Sequence, residues 1–517
     1  MSSMFPVIAG AAVATYILLL ALLHFTQDAS EPQSICDSIP FITPVLGLLS
    51  KGTRLHRLMR DRYNLPIHTL RLPGSRIYVI NSPRLLLSAQ SQTRTLSFTA
   101  VQTGIVANVL GVSKATNEII IRDATSHKGY LMSFSKYIHP TLSTGSGLHG
   151  MNRRSMQVMT ESLNTLAGKE KTVALFQWIR HELLMATTEA VYGPKNPFRD
   201  ADMEQAWYMF EPGFMTFALN LLPRLLARKS YRAREYMVKV WEHYFETGSY
   251  QHGSEMVKAR VKINNDFQIA LKDTARLEVG GTHGILANTL PGAFWMVYHI
   301  FSDPSVLNDI RNEISGGVRL EADGSSTIDL TWVKSACPIL LSTFKETMRM
   351  HSTATSVRLV MQDHRIDDKY LLKKGNTVMM PSVVQHTSRP IWGDTVDEFN
   401  HKRFMPGTQR INPTAFRGFG GGTTLCPGRQ FATTEILVFS ALLVLRFDLH
   451  PVGRRWNSPS TAYASTASAF PAPDYDLHVE LHPRDDRSWN ILFTGAGKEL
   501  GIAAEDIKEP LTIEISH

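Results

Sequence analysis

The stretch FRGFGGGTTLCPGRQFA, residues 416–432, surrounds one cysteine with five glycines. Gly420, Gly421 and Gly422 permit positive φ and let backbone approach a flat ligand closely, and Gly428 extends that freedom past the thiol. Pro427 suits a first helical turn. The very apolar run RQFATTEILVFSALLVLRF, 429–447, then reads as a helix. The Cys426 sulfur is thereby predicted near a helix N-terminus. There the positive end of the dipole and unbonded N–H groups stabilise a thiolate. The plainer reading of a lone cysteine is a small buried hydrophobe, and the glycines around this one argue against it.

Other thiols do not compete for a role. The 517 residues contain three cysteines, Cys36, Cys337 and Cys426. Their wide spacing makes neither a disulfide framework nor a Cys-rich zinc site, and it points to a reducing compartment. There is no Asn-x-Ser/Thr sequon with a permitted middle residue. Lys and Arg exceed Asp and Glu by 54 to 46, a formal net charge of +8 spread along the chain with no long basic run. That distribution suits an acidic protein partner or an anionic membrane surface and gives no footprint for nucleic acid. At 43% hydrophobic the chain can bury a large core.

The N-terminus differs from everything after it. FPVIAGAAVATYILLLALLHF, 5–25, carries no Asp, Glu, Lys or Arg. About 20 apolar residues is the length of a bilayer-spanning helix. A cleaved signal peptide would want a basic leader and a shorter apolar core, and no Lys or Arg precedes Phe5. Residues 1–27 are therefore expected to form a retained anchor. SIPFITPVLG, 38–47, has two prolines. Residues 28–50 are accordingly expected to form a stiff, extended connector. Residues 51–517 follow as one catalytic domain.

Within that body, RIYVINSPRLLL (76–87) reads as a strand entering a helix. LFQWIRHELLMATTEAVYG (175–193) has helical apolar spacing and a glycine stop. Further helices are expected over 202–226, 231–246, 273–301, 304–314 and 330–350. Short strands and turns then run to Arg429. The expected class is mostly α with a minor β lobe.

A thiolate that accepts N–H bonds is suited to be the permanent axial ligand of a haem iron, where sulfur donation favours O–O cleavage. In this loop the sequence resembles the haem-thiolate monooxygenases of the cytochrome P450 family. Their signature is Phe-x-x-Gly-x-(Arg or His)-x-Cys-x-Gly. Here Phe419, Gly422, Cys426 and Gly428 match it. Thr424 stands where a basic residue usually meets a haem propionate. Two more motifs carry the resemblance. KETMR holds Glu346 and Arg349, whose spacing of three puts them on one helix face. Arg403, in FNHKRF, would complete the family's structural triad. In TSVRLV, Arg358 stands at the family's propionate-binding position, and it gains weight because Thr424 cannot pair a carboxylate. The family's Trp-x-x-x-Arg contact is not evident.

The fourth piece is GILANTLPGAFW, 284–295. Asn288 and Thr289 occupy the acid and alcohol positions of the family's oxygen-activating helix. Pro291 has no N–H, so the Ala287 carbonyl loses its helical partner. The gap could hold water, and with the Thr289 hydroxyl it makes a route for protons. Asn288 can hydrogen-bond but cannot deliver a proton. Asn-Thr before proline, and the loop without its basic residue, resemble the branch of sterol and bile-acid hydroxylases that also contains prostacyclin synthase.

The resemblance implies a triangular helical prism with a small sheet lobe, holding haem b with Cys426 as axial thiolate. It implies hydroxylation of an apolar small molecule, most readily a terpenoid or steroid-like intermediate of fungal secondary metabolism. It further implies electrons from NADPH through a separate membrane-bound reductase. The expected location is a single-pass endoplasmic reticulum protein with its body in the cytosol. Expected pocket walls are 100–110, 207–226, 284–293 and 353–356. Two alternatives stay open: a haem-thiolate isomerase or dehydratase acting on a peroxide without external electrons, and a haem-binding sensor without turnover. The tail from Arg487 onward has no counterpart in the family pattern.

Overall fold

The computed structural model describes residues 4–35, 38–143, 145–408, 412–465, 467–493, 500–502 and 506; Cys36 lies outside them. By contact the chain divides into two compact units. One comprises Met1–Val101, Thr353–Val396 and Asn412–Leu425, the other Gln102–Ser352, Asp397–Ile411 and Cys426–His517.

The first unit is built on a six-stranded sheet in the order Ser34–Ile35, Ile67–Leu72, Ser75–Ile80, Thr377–Pro381, Thr355–Val360, Leu96–Ser97. The expected strand-to-helix step at 76–87 is present, as strand Ser75–Ile80 and helix Pro83–Ser91. Ile77, Tyr78, Val79 and Ile80 are all buried, because both faces of that strand are covered. In Thr355–Val360 every second residue near the end, Arg358 and Val360, is buried at 1% exposure. The period of two thus turns a guanidinium inward on the same face as a valine.

The segment 28–50 is not an extended connector. Ser34 and Ile35 pair with Thr69 and Leu70, and the Thr69 N–H donates to the Gln33 carbonyl at 2.9 Å. Ile42–Lys51 is a helix. Pro44 lies in its first turn, where a missing N–H costs nothing. The N-terminal helix Met4–Thr26 precedes this. Its stretch Val7–Thr26 has mean hydropathy 2.2 with none of it buried in the protein.

The second unit is mostly helical. Its interior is the helix Arg429–Arg446, with 16 of its 18 residues buried, so it is buried all round rather than on one stripe. The helices Leu175–Tyr192 and Thr289–Ser302 are nearly as buried. Gly193 ends the first of these at φ 72°, the left-handed turn that its sequence signalled. Two three-stranded sheets complete the unit. Phe447–Pro451 pairs His478–Pro483, which pairs Lys171–Ala174; Trp489–Leu492 pairs Ser326–Asp329, which pairs Val318–Leu320.

Three expected helices are broken. The 330–350 segment splits into Leu330–Ser335 and Pro338–His351, because Pro338 starts a new first turn. The 202–226 segment becomes Ala201–Phe210, Phe214–Ala218 and Pro223–Leu226, interrupted at Pro212 and Gly213 and again before Pro223. Trp207, Phe210 and Phe217, expected along a pocket wall, are 0–1% exposed and belong to the packed interior. The 273–301 segment becomes Leu271–Leu286 and Thr289–Ser302.

Candidate active site

In the second unit, Cys426 lies just before the buried helix that starts at Arg429. The backbone N–H groups of Gly428 and Arg429 point at its sulfur. Gly428 has φ −82°, so its freedom to adopt positive φ is not used. It contributes an N–H and open space: a Cβ there would stand 4.0 Å from the sulfur. The thiol is not depressed as a bare helix terminus would predict. Burial pushes it up, and the two N–H groups and the Arg429 charge pull it back. A cation on the sulfur supplies what burial withholds, since a coordinated thiol is deprotonated outright. Cys337, by contrast, is buried in the core, and burial with nearby Glu313 pushes it up to about 12.

The kinked helix pair is in the same unit. Proline at 291 leaves the Ala287 carbonyl without its helical donor. The protein itself supplies a donor there: the Ser468 hydroxyl donates to that carbonyl at 2.8 Å. Asn288 is turned to the same loop. Its Oδ1 accepts from the Ala469 N–H at 2.7 Å and lies 3.1 Å from the Ser468 hydroxyl, whose one hydrogen it shares with the Ala287 carbonyl. Asn288 therefore holds the 468–470 turn against the kink and is not arranged as part of a proton relay. Thr289 is 6% exposed and donates its hydroxyl hydrogen to the Ile285 carbonyl at 3.1 Å, leaving its lone pairs to accept.

Glu346, Arg349 and Arg403 come together, also in this unit. Glu346 is 0% exposed. Its carboxylate takes a fork from Arg349, with Nε and Nη2 each at 2.8 Å, and a third bond from Arg403 Nε at 2.9 Å. The Asn400 N–H adds a fourth at 3.1 Å. Arg349 and Arg403 both donate to the Glu398 carbonyl, at 3.3 and 3.2 Å. Two guanidiniums on one buried carboxylate fix the 398–403 segment to helix Pro338–His351.

The first unit holds the remaining residues. Arg358 donates from Nη2 to the Thr424 hydroxyl at 3.0 Å, and from Nη1 to the Val357 carbonyl at 2.9 Å and the Ser356 hydroxyl at 3.0 Å. Among the described residues it makes no ion pair. Burial, and then the positive charge of Arg417, pull it down to about 10. Arg417 is 7% exposed, and the triple glycine is shaped around it. Gly420 and Gly422 take positive φ, 79° and 57°, while a Cβ on the extended Gly421 would run into the Arg417 guanidinium. Phe419 is half-buried and Gly422 exposed. Arg417 lies within the glycine-rich stretch 416–432, but only its neighbours' backbone shows what the glycines accommodate. Ser468 gave no sequence signal.

A haem needs a sulfur ligand for its iron and cations for two propionates. A cysteine flanked by aimed N–H groups fits the first need; in the other unit, by itself, buried Arg358 feels the charge of buried Arg417.

The comparisons with known proteins agree. The pattern of the family described as Cytochrome P450 matches residues 153–477. The chain is similar to "Cytochrome P450 monooxygenase nodJ" of Hypoxylon pulicicidum, 33% identical over 485 residues that cover 90% of this chain and 93% of that one. A "Cytochrome P450 monooxygenase" of Gibberella zeae is 27% identical over 491 residues, covering 92% of each. "Cytochrome P450 7A1" of Rattus norvegicus is 25% identical over 282 residues, covering 50% of this chain and 55% of that protein. The similarity thus extends both to fungal monooxygenases and to the mammalian branch whose Asn-Thr and Cys-loop motifs this sequence resembles. With a buried helix headed by Cys426, the Glu346 cluster and relatives that match along nine-tenths of its length, this chain belongs to the cytochrome P450 family.

Proposed function

We propose that the chain is a membrane-anchored haem-thiolate monooxygenase that hydroxylates or otherwise oxidises an apolar small molecule. The substrate class is a terpenoid or steroid-like intermediate of fungal secondary metabolism, and the electrons come from NADPH through a separate reductase. The N-terminal helix would tether the catalytic body on the cytosolic face of the endoplasmic reticulum. The carrying observation is the Cys426 sulfur, met by two backbone N–H groups at the head of a helix buried on all sides.

Haem, when bound, supplies a redox iron able to activate dioxygen. The rest falls to the chain's own residues. Cys426 binds through sulfur, steadied by the N–H groups of Gly428 and Arg429. Cys426 apart, Arg358 and Arg417 would be the residues that offer guanidinium donors to the propionates. The Glu346 cluster holds the 398–403 segment in one conformation. Thr289 keeps its hydroxyl oriented by the Ile285 carbonyl, so its lone pairs can order a water and pass a proton. Asn288 keeps the 468–470 turn in place.

Two measurements test this reading. Cys426→Ser is expected to abolish the red-shifted carbon monoxide band of reduced thiolate-ligated haem; a variant that keeps it has another ligand. Co-expression with an NADPH-dependent reductase and profiling against a terpenoid library is expected to give oxygenated products only with the reductase. Full turnover without it places the chain among the isomerases that rearrange a ready-made peroxide.

A further inference from the structure

In the first unit, helix Ile42–Lys51 turns one face to the protein. Pro44 is buried, and Leu48 packs against the cluster of Leu55, Leu70 and Val79. The opposite face of such a helix is polar when it meets water. Here it is apolar. Ile42, Leu46 and Leu49, with Ile39 in the turn before them, are 45%, 58%, 77% and 43% exposed. Steps of three and four residues set them in one stripe. Lys51 and Arg54, both exposed, follow at the end of the helix.

The stripe is tied to the apolar helix Val7–Thr26. Arg71 donates to the Thr26 carbonyl at 3.2 Å, to its hydroxyl at 2.6 Å and to Gln27 Oε1 at 3.1 Å. Arg76, directly opposite on the next strand, donates to the same Thr26 carbonyl at 2.8 Å. Buried Glu31 balances the two cations. It stands 3.0 Å from the Arg76 guanidinium and 3.8 Å from Lys373, and it accepts from the Tyr78 hydroxyl at 2.6 Å. The Arg71 guanidinium also lies over the ring of Phe41, 5.6 Å from its centre, at the head of helix Ile42–Lys51. One side chain thus touches the end of the apolar helix and the start of the striped one. At roughly 1.5 Å per residue, the 20 residues of Val7–Thr26 span about 30 Å, the thickness of a hydrocarbon core. Thr26 then falls at the lipid boundary, and the stripe follows close behind it. We propose that Ile39, Ile42, Leu46 and Leu49 form a second membrane contact, a helix lying in the bilayer interface, and that Arg71 and Arg76 clamp the anchor to the sheet so that the stripe is held there. This rests on the reading of Val7–Thr26 as a retained anchor. Lipid is the occupant because the anchor's end is bonded to the strands that carry the stripe's helix, and Lys51 and Arg54 suit anionic headgroups. The first unit therefore sits on the membrane through two contacts and does not swing on a single tether.

The test is photolabelling of the full-length, haem-loaded protein in phosphatidylcholine nanodiscs. The probe is an apolar carbene precursor that partitions among the acyl chains, and mass spectrometry locates its adducts. Adducts are expected across 7–26 and again across 39–49. Leu46→Glu with Leu49→Glu changes only exposed side chains. Haem content and the 7–26 adducts should stay, and the 39–49 adducts should be lost. Arg71→Gln and Arg76→Gln should also reduce the 39–49 adducts while sparing 7–26, with faster hydrogen exchange across 27–35. Adducts across 7–26 alone in the wild type would mean that the stripe faces water or a second copy of the chain, and would overturn the second contact. Labelling of 39–49 that survives both arginine variants overturns the clamp. Absence of adducts from 7–26 strikes instead at the anchor itself, so the two failures are told apart. Should Arg71→Gln fail to fold, Arg76→Gln tests the same clamp at the more exposed of the two arginines.

Discussion

Arg358 donates a hydrogen bond from Nη2 to the Thr424 hydroxyl at 3.0 Å. Thr424 passes its own hydrogen to the Gly421 carbonyl at 3.1 Å. The position that carries a basic residue in the family signature therefore serves here to orient an arginine from a distant strand. In the proposed function the propionate charge would be met instead by Arg358 and Arg417. Replacing either by Ala is expected to remove a charge-assisted bond of about 1.5–3 kcal/mol, or roughly ten- to a hundredfold in haem retention. Transfer of haem to an excess of apomyoglobin measures this directly. Wild-type transfer rates in both variants would mean that the pair does not hold the cofactor.

The Glu346 cluster makes a different prediction, about folding rather than affinity. Removing one partner from a buried ion network strands the others, at a cost of about 3–5 kcal/mol. Glu346→Ala leaves the Arg349 and Arg403 guanidiniums facing each other, so little haem-loaded protein is expected. Arg349→Ala should behave alike, and Arg349→Lys should not rescue it, because one ammonium cannot reproduce a fork. Normal yield of the loaded protein from Glu346→Ala would refute this role.

A buried carboxyl in the core sets a pH dependence. Glu435 is 0% exposed in the helix Arg429–Arg446. It accepts from Ser155 at 2.6 Å and Thr187 at 3.0 Å, and burial raises it to about 8. Its folded value lies above the unfolded one, so the native state binds the extra proton between about pH 4.5 and 8. Stability from this group is therefore complete below the unfolded value and lost as pH rises through the folded one. Glu435→Gln cannot ionise. Its melting temperature should gain on wild type steadily across that window, by at most about 5 kcal/mol in stability. A constant difference between the two across pH 5–8 rules the effect out.

Much of this was legible because it is local. The spacing of Glu346 and Arg349, the glycine stop at Gly193 and the largely apolar run after Arg429 each follow from helical geometry within a few residues. Arg403 could be placed only through resemblance, since nothing in spacing joins it to Glu346 across 57 positions. Ser468 could not be seen at all: Pro291 announces an unpaired carbonyl, but which donor fills it depends on how a loop 181 residues away folds back. The prolines at 40 and 44 misled for the opposite reason. Proline is equally at home in an extended chain and in a first helical turn, and only the neighbouring strand decides. Burial overruled local dipole reasoning at Cys426 as well.

The kink also bears on the proton route of the proposed function. With the Ala287 carbonyl taken by Ser468, and Asn288 spent on the 468–470 turn, Thr289 is the hydroxyl left on this stretch with lone pairs to offer. Thr289→Ala is expected to uncouple the enzyme: NADPH consumption continues, peroxide rises, and product per NADPH falls by one to two decades, about 1.4–2.7 kcal/mol of barrier. Thr289→Ser retains the hydroxyl and should keep most of the coupling. Ser468→Ala provides the contrast. It frees the Ala287 carbonyl and weakens the hold on the Asn288 turn, but it removes no group from the relay, so coupling should fall less than in Thr289→Ala. The measurement is product formed per NADPH consumed, with reductase and one substrate that turns over. Undiminished coupling in Thr289→Ala, or a larger loss in Ser468→Ala, would move the proton route from Thr289 to the loop.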